Sequence, residues 1–157
     1  RAFSAANLSN AEYWLIGDGA ELENLQAIAQ ECGVASQVKL WGRLPREETL
    51  EKLGESHVLV HPSLHDSGGW VCIEAMAAGR PVTEDTGCKI AAQEPDKTIS
   101  DMAEAMKMLA EDPKLRVQMG QAGRQLVDEN YSWKVVGERL DMLYQQTAKA
   151  SLSVAAP

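Results

Sequence analysis

Short apolar segments alternate with longer segments of helical pattern along the first half of the chain. The short segments have the length and composition of buried strands, and they are residues 13–16, 38–40 and 58–60. The longer segments predict helices, and they are residues 20–32, 46–53 and 69–78. This order predicts βαβ units and an α/β fold, with a mainly parallel sheet and helices on both faces. Ligands of such sheets bind beyond the carboxyl ends of the strands.

The last third of the chain predicts helices alone. Apolar positions recur at helical spacing in three segments, which are residues 100–110, 114–127 and 132–147. Residues 148–157 have no periodicity, which predicts a flexible tail after one domain of residues 1–147. The chain begins at Arg1 without an initiator methionine and within a predicted helix, so we expect a fragment of a longer protein.

One predicted strand is too short for its place in the fold. Pro81 and Val82 begin it, but the sequence turns at once to polar residues at Thr83. A strand normally takes about five residues, and the return to a parallel neighbour takes about a dozen more. We therefore expect that residues are missing between Val82 and Thr83.

Composition narrows the class of protein. A length of 157 residues, with 45% hydrophobic and 24% charged residues, fits one globular domain. The net charge of −8 argues against nucleic acid as a partner, because binding to a phosphate backbone depends on Lys and Arg clusters. Three separated cysteines predict reduced thiols in a cytoplasmic protein. No apolar run approaches the roughly twenty residues that a membrane span needs, so membrane insertion is not expected.

The predicted helix of residues 69–78 carries a single charge, Glu74. A helix this apolar is packed nearly all round, and glutamate is almost never fully buried without a partner. Ribose hydroxyls would suit a carboxylate acceptor. The alternative is a glutamate on the one solvated stripe of a core helix.

Small residues precede this helix. Ser67 is a candidate N-cap, and Gly68 and Gly69 have no Cβ, so backbone N–H groups there can approach a ligand closely. Helix N-termini of this type bind phosphate. A glycine pair is weak evidence alone, because any tight turn or helix entry can use one.

Glycine turns also follow the first two predicted strands, at the edge where ligands bind. The residues concerned are Gly17, Asp18 and Gly19 after the first strand, and Gly42, Arg43 and Leu44 after the second. These turns could meet a nucleotide through their backbone groups. They also fit a plain turn and an ordinary surface arginine.

Three histidines recur at every fourth position, which on a helix would place them on one face. His57 and His61 flank a predicted strand instead, so helical spacing does not apply and we expect no metal site. His65 lies beside Asp66 in the loop beyond that strand, where it is better placed for a sugar or phosphate contact.

These motifs, in this order and spacing, resemble the C-terminal domain of glycosyltransferase family 4. The resemblance rests on residues 17–19, 38–42, 61–63 and 74–82, and it extends through residues 112–113, 119–120 and 131–133. It implies a Rossmann-like domain, the C-terminal half of a type B glycosyltransferase fold, without that domain's first strand. The acceptor-binding N-terminal domain would lie outside this chain.

The resemblance implies roles for individual residues. It implies two catalytic acids: Glu74, which would bind the donor ribose, and Asp66, which would contact the transferred sugar. Family members usually have Glu at the position of Asp66, so the shorter side chain leaves the sugar open. Gly68, Gly69 and Trp70 would lie against the sugar and diphosphate. The Arg and Lys that neutralise the diphosphate in the family have no counterpart in this chain.

The implied reaction moves a sugar from a UDP- or GDP-sugar to a hydroxyl group, with retention of configuration and no cofactor. The acceptor would be a glycan or lipid-linked molecule bound mainly by the missing domain, and peripheral membrane association of the full-length enzyme stays open. Two alternatives remain, a nonhydrolysing nucleotide-sugar epimerase of the same architecture and a noncatalytic Rossmann-like module. The chain alone is expected to be inactive.

Overall fold

The structure is a computed structural model that describes residues 1–63, 69–82, 86–91 and 94–154, with side chains described as far as residue 148. It contains two strands, β1 (Tyr13–Ile16) and β2 (Val38–Gly42), and a short 3-10 turn (Ala35–Gln37). The helices are α1 (Ala2–Ala6), α2 (Leu22–Glu31), α3 (Arg46–Glu55), α4 (Trp70–Ala77), α5 (Pro95–Glu111), α6 (Pro113–Asn130) and α7 (Trp133–Val154).

The two strands form a parallel sheet joined by the crossover helix α2. Tyr13 lies opposite Val38 and Leu15 opposite Leu40, and a register shift after Leu15 places Ile16 opposite Gly42. Two parallel strands need a crossover connection, which is usually a helix. The predicted order of strand, helix and strand therefore gave the correct connection between β1 and β2. The predicted α/β class with a parallel sheet is confirmed.

Polar contacts near the start of β1 reinforce this register. Glu12 accepts a hydrogen bond from Trp14 Nε1 at 2.7 Å and pairs with Lys39 Nζ of β2 at 3.0 Å. These two partners hold the pKa of the Glu12 carboxyl below its usual range, the hydrogen bond from Trp14 first. The Trp14 ring meets Trp41 of β2 edge to face, with ring centroids 5.7 Å apart.

Two predicted strands do not form. Residues 58–60 are half-buried but pair with no other strand in the part of the chain that the structure describes. Residues 58–60 and β1 line the same cavity without pairing in the described part of the chain. Pro81 and Val82 are not a strand either, and the Val82 N–H donates to the Thr86 carbonyl at 2.6 Å.

The later helices are longer than the apolar pattern predicts. α5 begins at Pro95, where proline suits the first helical position because its missing N–H has no helical partner there. α7 continues to Val154, past the predicted end at Thr147. Residues 148–154 contain neither glycine nor proline, so nothing local terminates the helix.

Helix α4 is fixed by close packing against α6. Ala75 and Met76 of α4 are buried, and a Cβ at Gly123 of α6 would lie 3.1 Å from Met76 Cγ. At Gly120 a Cβ would lie 2.0 Å from the carbonyl oxygen of Gly79, a distance that no side chain tolerates. Helix α1 packs on α5 and completes the core.

Candidate donor site

The two glycine turns meet at the carboxyl edge of the sheet. The Gly17 N–H donates to the Gly42 carbonyl at 2.7 Å, so the turn after β1 lies directly beside the turn after β2. Gly17 has φ +138° and Gly42 has φ +65°, and no atom lies within 4 Å of the place where either Cβ would stand. Backbone conformation therefore favours glycine at both positions, while the space beside them is open.

The other residues of these turns have unequal exposure. Asp18, Gly19 and Arg43 are exposed, whereas Leu44 is half-buried. Their side chains and backbone groups are accessible at the edge where ligands of parallel sheets bind. This arrangement suits contact with a ligand and does not by itself identify one.

Helix α4 starts at the same edge through a glycine. Gly69 is its N-cap with φ +60°, and its carbonyl accepts from Cys72 N at 2.8 Å and Ile73 N at 3.3 Å. Trp70, the first residue of the helix, is 70% exposed, so the helix begins with an indole that faces solvent.

Glu74 lies one turn into α4 and has a charged partner. Its carboxylate Oε1 lies 2.7 Å from Nη2 of Arg46, the first residue of α3, and its side chain is 24% exposed. The expectation that this carboxylate needs a polar partner is thus met within the protein itself. Exposed ion pairs of this kind contribute roughly 0–1 kcal/mol, and the Arg46 side chain is 74% exposed.

Sequence reasoning did not find Arg46. The sequence does carry a signal for it. Arginine at the first position of a helix interacts unfavourably with the helix macrodipole, whereas Glu47 and Glu48 in the same turn interact favourably with it. An unfavourable local choice points to a partner elsewhere in the fold. Only the placement of α4 beside α3 supplies that partner.

A second contact shows how α3 and α4 are oriented relative to each other. An Arg80 Nη2 N–H donates to the carbonyl of Gly54, near the end of α3. Arg46 therefore links the start of α3 to the middle of α4, and Arg80 links the end of α3 to the segment after α4. The helices run side by side in the same direction, so both begin on the side of the sheet edge that carries the glycine turns.

A cavity of about 680 Å³ lies along the flank of β1 and α3 and reaches Glu74. Among the predicted site residues that the structure describes, Glu74 lines this cavity, and the glycine turns, Gly69 and Trp70 lie outside it. Its other walls come from β1, α3, the segment of residues 57–61 and α5, including Ile16, His61, Val71 and Met106. The predicted residues His65, Asp66, Ser67 and Gly68 lie outside the described residues.

The described residues offer no other obvious reactive group. Within the described ranges, no three His, Cys, Asp or Glu side chains come together as metal ligands. Cys32, Cys72 and Cys88 are half-buried, and burial raises the pKa of the Cys88 thiol. Across the same ranges, no helix combines the length and apolar character needed to cross a membrane.

One protein-family model matches most of the chain. The sequence model described as "Glycosyl transferases group 1" matches residues 1–126. The chain belongs to this family. D-inositol 3-phosphate glycosyltransferase from Corynebacterium jeikeium is 32% identical over 141 residues, covering 84% of this chain and 33% of that protein.

A second relative comes from Corynebacterium glutamicum. It is a GDP-mannose-dependent monoacylated alpha-(1-6)-phosphatidylinositol monomannoside mannosyltransferase, 29% identical over 155 residues, and the match covers 87% of this chain and 39% of that protein. This group 1 chain therefore spans well under half the length of these two relatives.

Solved structures show the same fold. Sucrose-phosphate synthase from Thermosynechococcus elongatus superposes with a TM-score of 0.78 at 24% identity, over 95% of this chain and 41% of that one. TarM from S. aureus, solved with UDP, superposes with a TM-score of 0.76 at 17% identity, over 89% of this chain and 31% of that one. The predicted Rossmann-like half of a type B glycosyltransferase fold is confirmed.

Proposed function

We propose that this chain is the C-terminal, donor-binding domain of a retaining glycosyltransferase of family 4. It binds a nucleoside diphosphate sugar, and the full-length enzyme transfers the sugar to a hydroxyl acceptor. The observation that carries the proposal is the Glu74 carboxylate, which lies largely buried on a helix that starts at the carboxyl edge of the sheet. Family membership favours this interpretation over an epimerase or a noncatalytic module.

Each part of the site has a proposed partner on the donor. Glu74 accepts hydrogen bonds from the ribose hydroxyls, since ionised carboxylates offer only acceptors. The adjoining turns at Gly17 and Gly42 approach the nucleotide through their backbone groups, because neither carries a Cβ. Asp66 contacts the transferred sugar, and the N-terminus of α4 with Trp70 faces the sugar and diphosphate.

The proposed reaction breaks the bond between sugar C1 and the departing diphosphate oxygen. A new bond then forms on the same face of C1 with the acceptor hydroxyl oxygen, through an oxocarbenium-like transition state, and the hydroxyl proton passes to the departing diphosphate oxygen. Charge grows on the diphosphate as it leaves, so catalysis is mainly electrostatic. Amides at the start of α4 supply part of that stabilisation from this chain.

The acceptor and its location belong to the proposal for the full-length enzyme. The relatives' names include an inositol phosphate and a phosphatidylinositol mannoside, which supports a glycan or lipid-linked acceptor. Such an acceptor accords with a cytoplasmic enzyme that associates peripherally with a membrane. The donor is a UDP- or GDP-sugar, and neither base is favoured by a described residue.

Calorimetric titration of the full-length enzyme with UDP and GDP tests the donor assignment. We expect saturable binding of one nucleoside diphosphate and retention at C1 when its sugar is transferred. Failure of both nucleotides to bind would contradict the donor site. Isomerised sugar nucleotide without acceptor would favour the epimerase instead.

A further inference from the structure

Arg46 lies on the solvent side of Glu74, from which a ligand would reach the carboxylate. Glu74 is 24% exposed and Arg46 is 74% exposed, so the guanidinium reaches the carboxylate from the solvent side. Among the described residues, no other Lys, Arg or His lies within 4 Å of this carboxylate. Arg46 is therefore the cation that pairs with Glu74, and 24% of the Glu74 side chain stays accessible beside it.

The ion pair uses an oxygen that ribose also needs. Arg46 Nη2 lies 2.7 Å from Oε1. A vicinal diol has two O–H donors, and a carboxylate that accepts one on each oxygen places a ribose hydroxyl at Oε1 beside the guanidinium. The guanidinium and the diol therefore compete for the lone pairs of Oε1.

We propose that Arg46 is a displaceable counter-ion of Glu74, which neutralises the carboxylate in the empty site and yields it to the nucleotide ribose. This inference rests on the proposed function of Glu74. Replacing Arg46 by ribose at the carboxylate costs little free energy, because the exposed guanidinium can return to water when the ribose binds. Arg46 is thus a regulator of donor affinity rather than a catalytic residue.

The size of the effect follows from the class of ion pair. Exposed pairs are weak, so removing Arg46 should tighten ribonucleotide binding by about two- to fivefold. Loss of its positive charge also weakens attraction to the diphosphate. A 2′,3′-dideoxy ligand keeps the diphosphate and lacks the diol, so comparison with it separates the two effects.

The experiment is calorimetric titration of the full-length enzyme with UDP and GDP and with their 2′,3′-dideoxy forms. The variants are Arg46→Gln, Glu74→Gln and the double variant. We expect Arg46→Gln to raise the ratio of ribo to dideoxy affinity about two- to fivefold, and to leave it unchanged when Glu74 is already Gln. Arg1→Gln is the matched control, since Arg1 also forms an exposed pair with a glutamate, Glu31, at 3.9 Å.

The outcomes distinguish this inference from the proposed function. If Glu74→Gln leaves ribonucleotide affinity unchanged, the ribose assignment itself fails. If Glu74→Gln weakens binding but Arg46→Gln lowers the ratio or leaves it unchanged, the displacement proposal is overturned. Lowering would mean that Arg46 positions the carboxylate for ribose instead.

Salt provides a test that needs no substitution. Higher ionic strength weakens an exposed ion pair, so the ribo to dideoxy ratio of the wild type should rise with salt. The ratio for Arg46→Gln should stay flat. Equal salt dependence in both proteins would contradict competition between Arg46 and the ribose.

Discussion

Glu74 combines a charge, partial burial and an apolar helix, and each of these is visible in the sequence or the structure. In the full-length enzyme, Glu74→Gln keeps the shape but replaces ionic acceptors with an amide. Charged hydrogen bonds contribute about 1.5–3 kcal/mol, so nucleotide affinity should fall roughly tenfold to a hundredfold by calorimetry. Folding should change little, because the pair with Arg46 is exposed.

A substitution of Asp66 tests whether the carboxylates of Asp66 and Glu74 have different roles. Asp66→Asn should leave affinity for the nucleoside diphosphate nearly unchanged and lower turnover, because its proposed partner is the sugar. Steady-state kinetics with the sugar nucleotide and calorimetry with the diphosphate measure the two effects separately. A large loss of diphosphate affinity in Asp66→Asn would contradict this assignment.

The candidate site was predictable from sequence only at the level of single residues. Glu74 was found because one charge in an apolar helix is conspicuous, and the glycine turns because they follow apolar runs. Arg46 was not found, since its partner lies on another helix and no local pattern encodes that contact. Burial and pairing depend on the fold. The sequence therefore indicates that Glu74 needs a polar partner but does not identify Arg46 as that partner.

At the scale of elements, the packing of α4 on α6 determines where Glu74 stands. Gly120→Ala should destabilise the protein by about 1–3 kcal/mol, because its Cβ would lie 2.0 Å from the Gly79 carbonyl oxygen and the backbone would have to move. Urea unfolding of the full-length enzyme measures the change.

Gly137→Ala is the matched control for this substitution. Gly137 lies in helix α7, and nothing stands within 4 Å of its Cβ position. Alanine there should be neutral or stabilising, because it favours the helix by up to about 1 kcal/mol. Similar destabilisation in both variants would show that helix geometry, and not the contact with Gly79, is responsible.

The sequence predicted elements well where local pattern is sufficient. β1 and the start of α3 were placed correctly, because an apolar run and a proline set them locally. Residues 58–60 have the composition of a strand but pair with no strand among the described residues. The first turn of α5 is polar, so its residues carry no periodic signal.

The short segment after α4 carries a prediction about the covalent chain. Pro81 is buried and the Val82 N–H donates to the Thr86 carbonyl, so too few residues remain for a strand and its return. Residues 83–85 lie outside the described residues. Peptide mass mapping of the natural protein should find additional residues between Val82 and Thr83. A peptide in which Thr83 directly follows Val82 would contradict this.

At the scale of the whole molecule, the chain contains one side of a proposed two-sided site. It spans 33% and 39% of two relatives, and we propose that its glycine turns and Glu74 form the donor side. Transfer requires the acceptor to be held against C1 of the sugar, and such positioning provides a large part of enzymatic rate enhancement. Groups that neutralise the diphosphate are also expected from segments beyond this chain.

We therefore expect the isolated chain to bind a nucleoside diphosphate weakly and to transfer no sugar at a useful rate. Weak binding follows because Glu74 and the glycine turns are present while the diphosphate cations are proposed to lie elsewhere. Circular dichroism first establishes that the isolated chain is folded, and calorimetry with UDP and GDP then measures binding. Product analysis with a sugar nucleotide and a simple hydroxyl acceptor measures transfer, with the full-length enzyme as the positive control. Multiple turnovers by the folded chain alone would show that it contains both sides of the site, and the division proposed between donor and acceptor domains would have to be abandoned.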